Sequence, residues 1–279
     1  MPRSVWYPGH MAKGSRKLKE LASKLDLIIE VRDARAPAST SAPMMAALAE
    51  LKPVIRVLSH MDLADTKKLN PWLKENNYTY AADLRKKTGL NQIKKAIMKF
   101  KPPHREIRIA VIGIPNVGKS MLLNSLINKS SAIVGGVAGV TRSVSWYKNE
   151  GMLVVDSPGI LDPHAEKGAH LILSWLGCVK TEVIGGYENA AVALIDFLNY
   201  KNMHEILPVE YISDEPAELT LERIGKKYGC LISGGRVDFE LAGRKFIEAF
   251  SSGRLGLICL EQPGEEMIIN FHEAAVVCE

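Results

Sequence analysis

Residues 113–120 have the sequence Gly113-Ile114-Pro115-Asn116-Val117-Gly118-Lys119-Ser120, which fits the pattern GxxxxGK[ST]. They lie between a predicted strand at residues 107–112 and a predicted helix at residues 118–128, the context in which this pattern forms a phosphate-binding loop. Backbone N–H groups and the positive end of the helix dipole would face the phosphates. Lys119 would contact the β- and γ-phosphates, and the Ser120 hydroxyl would bind Mg²⁺. The stretch therefore predicts a P-loop nucleotide-binding fold.

A regular alternation of strands and helices surrounds this loop. Short apolar runs indicate buried strands at residues 25–31, 54–58, 78–82 and 107–112. Helical apolar spacing is found at residues 42–51, 70–76, 90–100 and 118–128. A hairpin is predicted from residues 143–147 and 152–155. This order predicts an α/β domain whose mostly parallel sheet is covered by helices on both faces.

The alternation ends near Gly159, and helical spacing follows. Helices are predicted at residues 170–179, 190–198, 219–228 and 239–250. The last of these has Asp238 as a possible N-cap and Gly253 close to its end. We therefore expect two domains: residues 1–164, which include a basic amphipathic helix at residues 12–24, and a helical domain at residues 165–279.

The composition is that of an ordinary globular protein with a modest excess of positive charge. Of its 279 residues 47% are hydrophobic, and the net charge is +5. No apolar run is long enough to span a membrane, and the N-terminus lacks the apolar stretch of a secretory signal. The cysteines form no CxxC pair, which argues against a disulfide framework or a structural zinc. We expect a cytoplasmic protein, and the basic excess suits an RNA partner.

A second phosphate-side motif, Asp156-Ser157-Pro158-Gly159, directly follows the apolar run at residues 152–155. In a DxxG turn at a strand end, the Asp can hold Mg²⁺ through water while the Gly N–H contacts the γ-phosphate. Thr141 lies between this motif and the P-loop. It could complete the Mg²⁺ coordination when a γ-phosphate is present, and a plain loop threonine is the alternative.

The element that recognises guanine is usually NKxD at a strand end, and nothing after the P-loop fits it. Before the P-loop, the strand at residues 54–58 runs into Ser59-His60-Met61-Asp62. Asp62 occupies the place of the motif Asp, which accepts hydrogen bonds from the guanine ring N–H and amino group. The next strand ends at Ala81-Ala82-Asp83, where a second base-contacting loop, usually SAK, would fall. The base loops therefore precede the phosphate loops.

With its motifs in this order, the sequence resembles the circularly permuted GTPases of bacterial ribosome assembly, specifically the RbgA (YlqF) family. The resemblance covers nearly the whole chain. Its motifs, besides residues 113–120, are Trp6-Tyr7-Pro8-Gly9-His10-Met11, Val31-Arg32-Asp33-Ala34-Arg35-Ala36-Pro37, Asp156-Ser157-Pro158-Gly159-Ile160 and Ser252-Gly253-Arg254-Leu255-Gly256.

The resemblance implies a circularly permuted Ras-like P-loop GTPase domain followed by a helical RNA-binding domain. It implies a monomer that docks on a precursor of the large ribosomal subunit, rRNA and ribosomal proteins included, in a GTP- and Mg²⁺-dependent way. That precursor would stimulate hydrolysis of GTP to GDP. Basic residues late in the chain would then contact RNA: Lys226, Lys227, Arg236, Arg244, Lys245 and Arg254. Because the DxxG turn leads straight into the second domain, γ-phosphate contacts could reorient that domain.

Slow intrinsic hydrolysis is expected, because Ile160 stands where many small GTPases have a Gln that orients the attacking water. By the resemblance, His10 would position this water, and an RNA or packing contact is the alternative. Asn116 occupies the P-loop position that helps to hold K⁺ in related GTPases, unless it only stabilises the loop. Catalytic roles are thus expected for His10, Lys119 and Thr141. The expected Mg²⁺ ligands are Ser120, Thr141 and Asp156.

The departure from the family pattern is Ser59-His60 in place of Asn-Lys. Ser59 is expected to be too short for the loop-bracing hydrogen bonds of Asn, and His60 could lie flat against a base with less coverage than Lys. Each lost hydrogen bond costs about 0.5–1.5 kcal/mol, so weakened guanine binding is expected. The expected nucleotide contacts are Ser59, His60, Asp62, Ala81, Ala82, Asn116, Val117, Gly118, Lys119, Ser120, Met121, Pro158 and Gly159.

Two other functions stay open. A nucleotide-binding module that docks on RNA or the ribosome with negligible hydrolysis would suit Ile160 and Ser59-His60. The intact Lys119, Ser120, Thr141 and Asp156 oppose it. An ATP-using P-loop enzyme would suit residues 113–120 alone, but Asp62 argues against it.

Overall fold

The structure, a computed structural model, describes residues 22–127, 132–134, 146–156 and 167–264. Within these ranges the chain forms two compact units. The first unit contains the described residues up to 156 together with residues 259–264, and the second contains residues 167–258. The domain boundary predicted between residues 164 and 165 lies outside the described residues, as does nearly all of the basic helix predicted at residues 12–24.

The first unit is built around a seven-stranded sheet. Its strands are β1 (Leu27–Asp33), β2 (Val54–Ser59), β3 (Thr79–Ala81), β4 (Ile107–Ile112), β5 (Ala132–Val134), β6 (Trp146–Asn149) and β7 (Met152–Asp156). They lie in the order β3-β2-β1-β4-β7-β6-β5. The pairs from β3 through to β7 are parallel, whereas β7 with β6 and β6 with β5 are antiparallel. The predicted mostly parallel sheet is confirmed.

Helices cover the sheet of this unit and pack apolar side chains against it. The helices are α1 (Met45–Ala49), α2 (Thr66–Glu75), α3 (Leu90–Met98) and α4 (Lys119–Leu126). Strand β1 is buried at every position, because strands pair with both of its edges and its faces are covered. On one face, Ile28 of β1 and Trp146 of β6 pack against Leu48 of α1 in a single apolar cluster.

The strand order brings the two groups of predicted loops together. Strand β4, which leads into the P-loop, lies between β1 and β7. Strands β2 and β3, which lead into the predicted base loops, lie beyond β1 on one side. Strand β7, which ends at Asp156, lies on the other side. Because the carboxyl ends of parallel strands meet at the same edge of a sheet, the base and phosphate loops share one edge despite their reversed order in the chain.

Several local predictions differ from the structure, and strand β1, for example, lies at Leu27–Asp33 instead of residues 25–31. Helix α2 begins at Thr66 instead of residue 70, because Asp65 caps it by accepting a hydrogen bond from the Lys67 N–H at 2.9 Å. Strand β6 ends at Asn149, two residues beyond the predicted end at residue 147. Strand β5 has no counterpart among the predicted strands, since three residues are too few to show an alternation.

The second unit is helical, as expected. Its helices are α5 (Lys167–Trp175), α6 (Tyr187–Tyr200), α7 (Ala217–Lys227) and α8 (Phe239–Ser251). The predicted N-cap of α8 is confirmed, because the Asp238 carboxylate accepts from the Leu241 N–H at 2.9 Å. Gly243 lets α8 approach the start of α6, since a Cβ there would lie 2.4 Å from the Tyr187 carbonyl oxygen. In the part of the chain that the structure describes, no helix is both long and apolar enough to cross a membrane.

Candidate nucleotide-binding site

The P-loop packs closely against the ends of β1 and β2. Gly113 is required because a Cβ there would lie 2.7 Å from the Val31 carbonyl oxygen. Gly118 has a φ of 87°, and a Cβ on it would lie 3.3 Å from the Ser59 Cβ. Asn116 also takes a positive φ, of 62°. The glycines therefore serve both the curl of the loop and its close approach to the neighbouring strands.

Ser59 joins the base side of the site to the P-loop. Its Oγ lies 2.6 Å from the Val117 carbonyl oxygen and 3.0 Å from the Arg32 carbonyl oxygen. A hydroxyl has a single proton, so Ser59 donates to one of these carbonyls at a time. The expectation that Ser59 is too short to brace the loop is therefore wrong. A serine reaches Val117 because Gly118 lets the two segments approach closely.

The His60 side chain is held by Asp33. His60 has φ 54° and ψ 33°, the left-handed region, which residues other than glycine seldom adopt. Its Nδ1 lies 3.0 Å from the Asp33 Oδ2 and 3.2 Å from the Ser59 Oγ. Arg35 also binds this carboxylate, through Nε at 2.9 Å and Nη2 at 2.8 Å. Burial by itself would raise the pKa of Asp33, but the Arg35 charge and the hydrogen bonds from Arg35 and His60 hold that pKa well below its usual range.

A small cavity opens beside these residues. It is lined by Ser59, His60, Asp62, Asp83, Leu84, Arg85, Gly118 and Met121. Asp62 lies in a single turn of 3₁₀ helix, Met61–Leu63, whose first N–H donates to the Ala82 carbonyl at 3.3 Å. Ala81 ends β3, and the Ala82 N–H donates to the Leu58 carbonyl at 2.8 Å. The structure thus brings predicted base-side residues beside P-loop residues, while Ala82 supports the turn through its carbonyl and neither Ala81 nor Ala82 lines the cavity.

The phosphate side is described only in part. Lys119 and Ser120 are the first residues of α4, the former half-buried and the latter exposed. Asp156 ends β7 opposite Val111 of β4, and its side chain is not described. His10, Thr141, Pro158 and Gly159 lie outside the described residues. The roles expected for these residues stay predictions.

Several residues that shape this site are assigned no role in it from the sequence. Asp33 belongs to the motif at residues 31–37, and a charged residue that ends a fully buried strand is the signal that could have revealed it. Leu84 and Arg85 line the cavity because Asp83 folds the chain there, accepting from the Arg85 and Lys86 N–H groups at 3.0 Å each. No periodicity points to such a turn.

Residues 259–264, here called the return segment, pack against the loop that follows β1. The Leu260 N–H donates to the Arg35 carbonyl at 2.8 Å. The buried Glu261 carboxylate accepts from the Ala38 N–H at 2.6 Å, from the Ser39 N–H at 3.1 Å and from the Ser39 hydroxyl. Burial raises the pKa of Glu261 although these hydrogen bonds lower it. The loop that carries Arg35, a partner of Asp33, is therefore fixed by a segment distant in sequence.

The chain is similar to known proteins over most of its length. Residues 108–214 match the family described as 50S ribosome-binding GTPase. Ribosome biogenesis GTPase A of Bacillus pumilus is 35% identical, and the match covers 92% of this chain and 98% of that protein. The protein of the same name from Thermotoga maritima is 30% identical, with 92% and 94% covered. The GDP-bound structure of TM YlqF is similar with a TM-score of 0.66 and 25% identity, over 90% of this chain and all of that one.

The matches cover nearly the full length of each relative and nearly all of this chain, so the resemblance to RbgA (YlqF) is confirmed. With them the permuted fold and the GTP-hydrolysing activity are established as well. The chain therefore belongs to the ribosome biogenesis GTPase A family.

Proposed function

We propose that GTP hydrolysis by this chain acts as a switch in the assembly of the large ribosomal subunit. The observation that carries the proposal is the hydrogen bond from Ser59 to Val117, which makes the base loop and the P-loop one site. The names of the relatives, ribosome biogenesis GTPase A, supply the assembly context.

Guanine recognition is assigned to Asp62, which lines the cavity. An ionised carboxylate can only accept hydrogen bonds, and guanine offers it two donors, the ring N–H and the amino group. His60 would cover the base, and Ala81 and Ala82 would contact it from the second base loop.

Phosphate binding is assigned to the P-loop and the DxxG turn. The backbone of Asn116, Val117 and Gly118 would face the phosphates together with the N-terminal end of α4. Lys119 would neutralise charge on the β- and γ-phosphates. The remaining contacts are assigned to Ser120, Met121, Pro158 and Gly159.

Mg²⁺ suits the oxygen donors assigned here, the Ser120 and Thr141 hydroxyls and the Asp156 carboxylate. The pairing of β4 with β7 supports this assignment, because it places the ends of the two strands that lead to Ser120 and Asp156 side by side. The ion would neutralise phosphate charge. We further assign a K⁺ contact to Asn116 and positioning of the attacking water to His10, since Ile160 cannot orient water.

The second unit is assigned to RNA docking, and the domain limits 1–164 and 165–279 are kept as a proposal, although residues 259–264 lie in the first unit. Arg236 and Arg244 are exposed and suit phosphate contacts, whereas Lys245 donates to the Tyr228 carbonyl at 2.9 Å. The cytoplasmic location and the monomeric state expected from the sequence stay predictions.

Co-sedimentation with large ribosomal subunits tests this proposal. We expect the chain to sediment with subunits in the presence of a non-hydrolysable GTP analogue, and to stay in the supernatant with GDP or an ATP analogue. Lys119→Ala should abolish the dependence on GTP, whereas Lys95→Ala, an exposed lysine on α3, should not. Binding should weaken steeply as salt is raised, because phosphate contacts release counterions. Arg236→Gln should weaken binding as well, because it removes one such contact. Equal sedimentation with GTP analogue and GDP would refute the switch.

A further inference from the structure

The pairing of β1 with β2 places Asp33 beside the base loop. In this parallel pair Asp33 lies opposite Ser59, and His60 is the next residue along. The Ala34 N–H donates to the Ser59 carbonyl at 2.9 Å, which fixes the relative position of the two strand ends. The register of the β1–β2 pair therefore brings Asp33 and His60 into contact.

Every side of the Asp33 carboxylate is occupied. Its Oδ1 accepts from the backbone N–H and the Nε of Arg35, both at 2.9 Å. Its Oδ2 accepts from the Arg35 Nη2 at 2.8 Å and lies 3.0 Å from the His60 Nδ1. Asp33 is fully buried, so it has no access to solvent for other partners. Arg35 therefore binds both carboxylate oxygens, and His60 occupies the remaining hydrogen-bonding position on Oδ2.

This geometry determines which nitrogen of His60 carries the proton in the neutral ring. An ionised carboxylate has no proton to donate, so the short contact requires a proton on Nδ1. The neutral ring then has its lone pair on Nε2. The ring is thereby fixed in one tautomer and one orientation where it lines the cavity with Asp62.

We propose that Asp33 is a positioning residue for guanine recognition, which holds the His60 imidazole through Nδ1–H as a fixed wall of the base cavity. This inference rests on the function proposed above and adds the residue that allows histidine to stand in the place of lysine. A lysine stem covers a base by its length, whereas a short imidazole must be held in position to do so. Asp33 supplies this hold without contacting the nucleotide.

A double-mutant cycle separates positioning from structural support. We expect Asp33→Asn to weaken binding of labelled GDP about three- to tenfold, the range of one hydrogen bond. In the His60→Ala background the same substitution should have no further effect, because the ring that it positions is gone. Equal weakening in both backgrounds would overturn the proposal, since it would show that Asp33 supports the fold only.

The wild-type protein offers a test that needs no stable Asp33 variant. In long-range ¹H–¹⁵N spectra of histidine-labelled protein, assigned by loss of one signal in His60→Ala, the neutral His60 ring should be protonated on Nδ1. Arg35→Gln, the matched control, removes the other partner of Asp33 and should lower thermal stability without changing this tautomer. Protonation on Nε2 would overturn the inference. A wild-type protein that binds GDP no better than ADP would instead refute guanine recognition itself, so the two failures are distinguishable.

Discussion

At the scale of single residues, Ser59 links the base loop to the P-loop through one hydroxyl, although it stands in the place of a longer side chain. The family pattern has Asn at this position, and Ser reaches the P-loop because Gly118 leaves room for the Ser59 Cβ. This contact depends on the position of the P-loop in the fold, which composition and spacing do not reveal.

Ser59→Ala removes this brace. The Val117 and Arg32 carbonyls lose a buried donor, and we expect the free energy of unfolding to fall by about 1–3 kcal/mol. GDP affinity should fall as well, because the P-loop loses its link to the base loop. Denaturant unfolding and GDP titration measure both. Ser125→Ala, which removes a hydroxyl that donates within α4, should leave GDP affinity unchanged. An unchanged affinity in Ser59→Ala would show that the brace does not support binding.

Asp62→Asn should change the base that the site prefers. An amide presents one acceptor and one donor group, which suits the ring N–H and the second carbonyl of xanthine. We expect GDP binding to weaken by at least tenfold and XDP binding to improve. Asp65→Asn is the matched control, because it makes the same change three residues away and Asn caps α2 equally well. If GDP and XDP affinities do not respond to Asp62→Asn, Asp62 does not contact the base.

Asp196 of α6 gives the second unit a pH-dependent stability. Burial, helped by the nearby negative charge of Glu218, raises the pKa of Asp196 to about 6. The cost of holding this carboxylate in the fold therefore appears as the pH rises above the unfolded pKa of about 4, grows until about pH 6 and stays constant above that. Asp196→Asn should raise Tm increasingly between these two pH values and by a constant amount above them. Glu210→Gln, an exposed control, should show no such trend.

At the scale of elements, apolar runs locate buried strands, although not always their ends, since β1 lies two residues further along than its prediction. Strand β4 coincides with its prediction, because every position except Arg108 is buried and the run is apolar. The start of α2 escapes the pattern, since its first turn carries Lys67 and Lys68 and begins at the Asp65 cap. Apolar spacing finds buried faces, whereas caps and polar turns depend on local hydrogen bonds.

The contact between the return segment and the loop after β1 cannot be predicted from any local sequence pattern. Glu261→Ala would leave the Ala38 and Ser39 N–H groups without their acceptor, so we expect the free energy of unfolding of the first unit to fall by about 1–3 kcal/mol. The loop carrying Arg35 should become more accessible, which amide hydrogen exchange at Ala38 and Ser39 can measure. The exposed Glu50→Ala serves as control. Unchanged exchange at both amides would show that Glu261 does not fix this loop.

At the scale of the whole molecule, the order of motifs predicts the permuted fold, but not how its parts meet. Residues 113–120 and Asp62 identify a phosphate loop and a base loop, and the strand order of the folded sheet places both at one edge. The contacts that unite them, from Ser59 to Val117 and from Asp33 to His60, depend on strand register and loop curvature. Register and curvature are properties of the folded chain. Sequence patterns therefore identify the loops of the site but not the hydrogen bonds between them.

The most direct test of the account is the release of phosphate from GTP and from ATP by the purified chain, in K⁺ and Mg²⁺, with and without large ribosomal subunits. We predict slow release from GTP alone, a strong increase when large subunits are added, and no increase with ATP. Release from ATP that equals release from GTP, or release from GTP that subunits do not stimulate, would contradict a guanine-specific switch in large-subunit assembly.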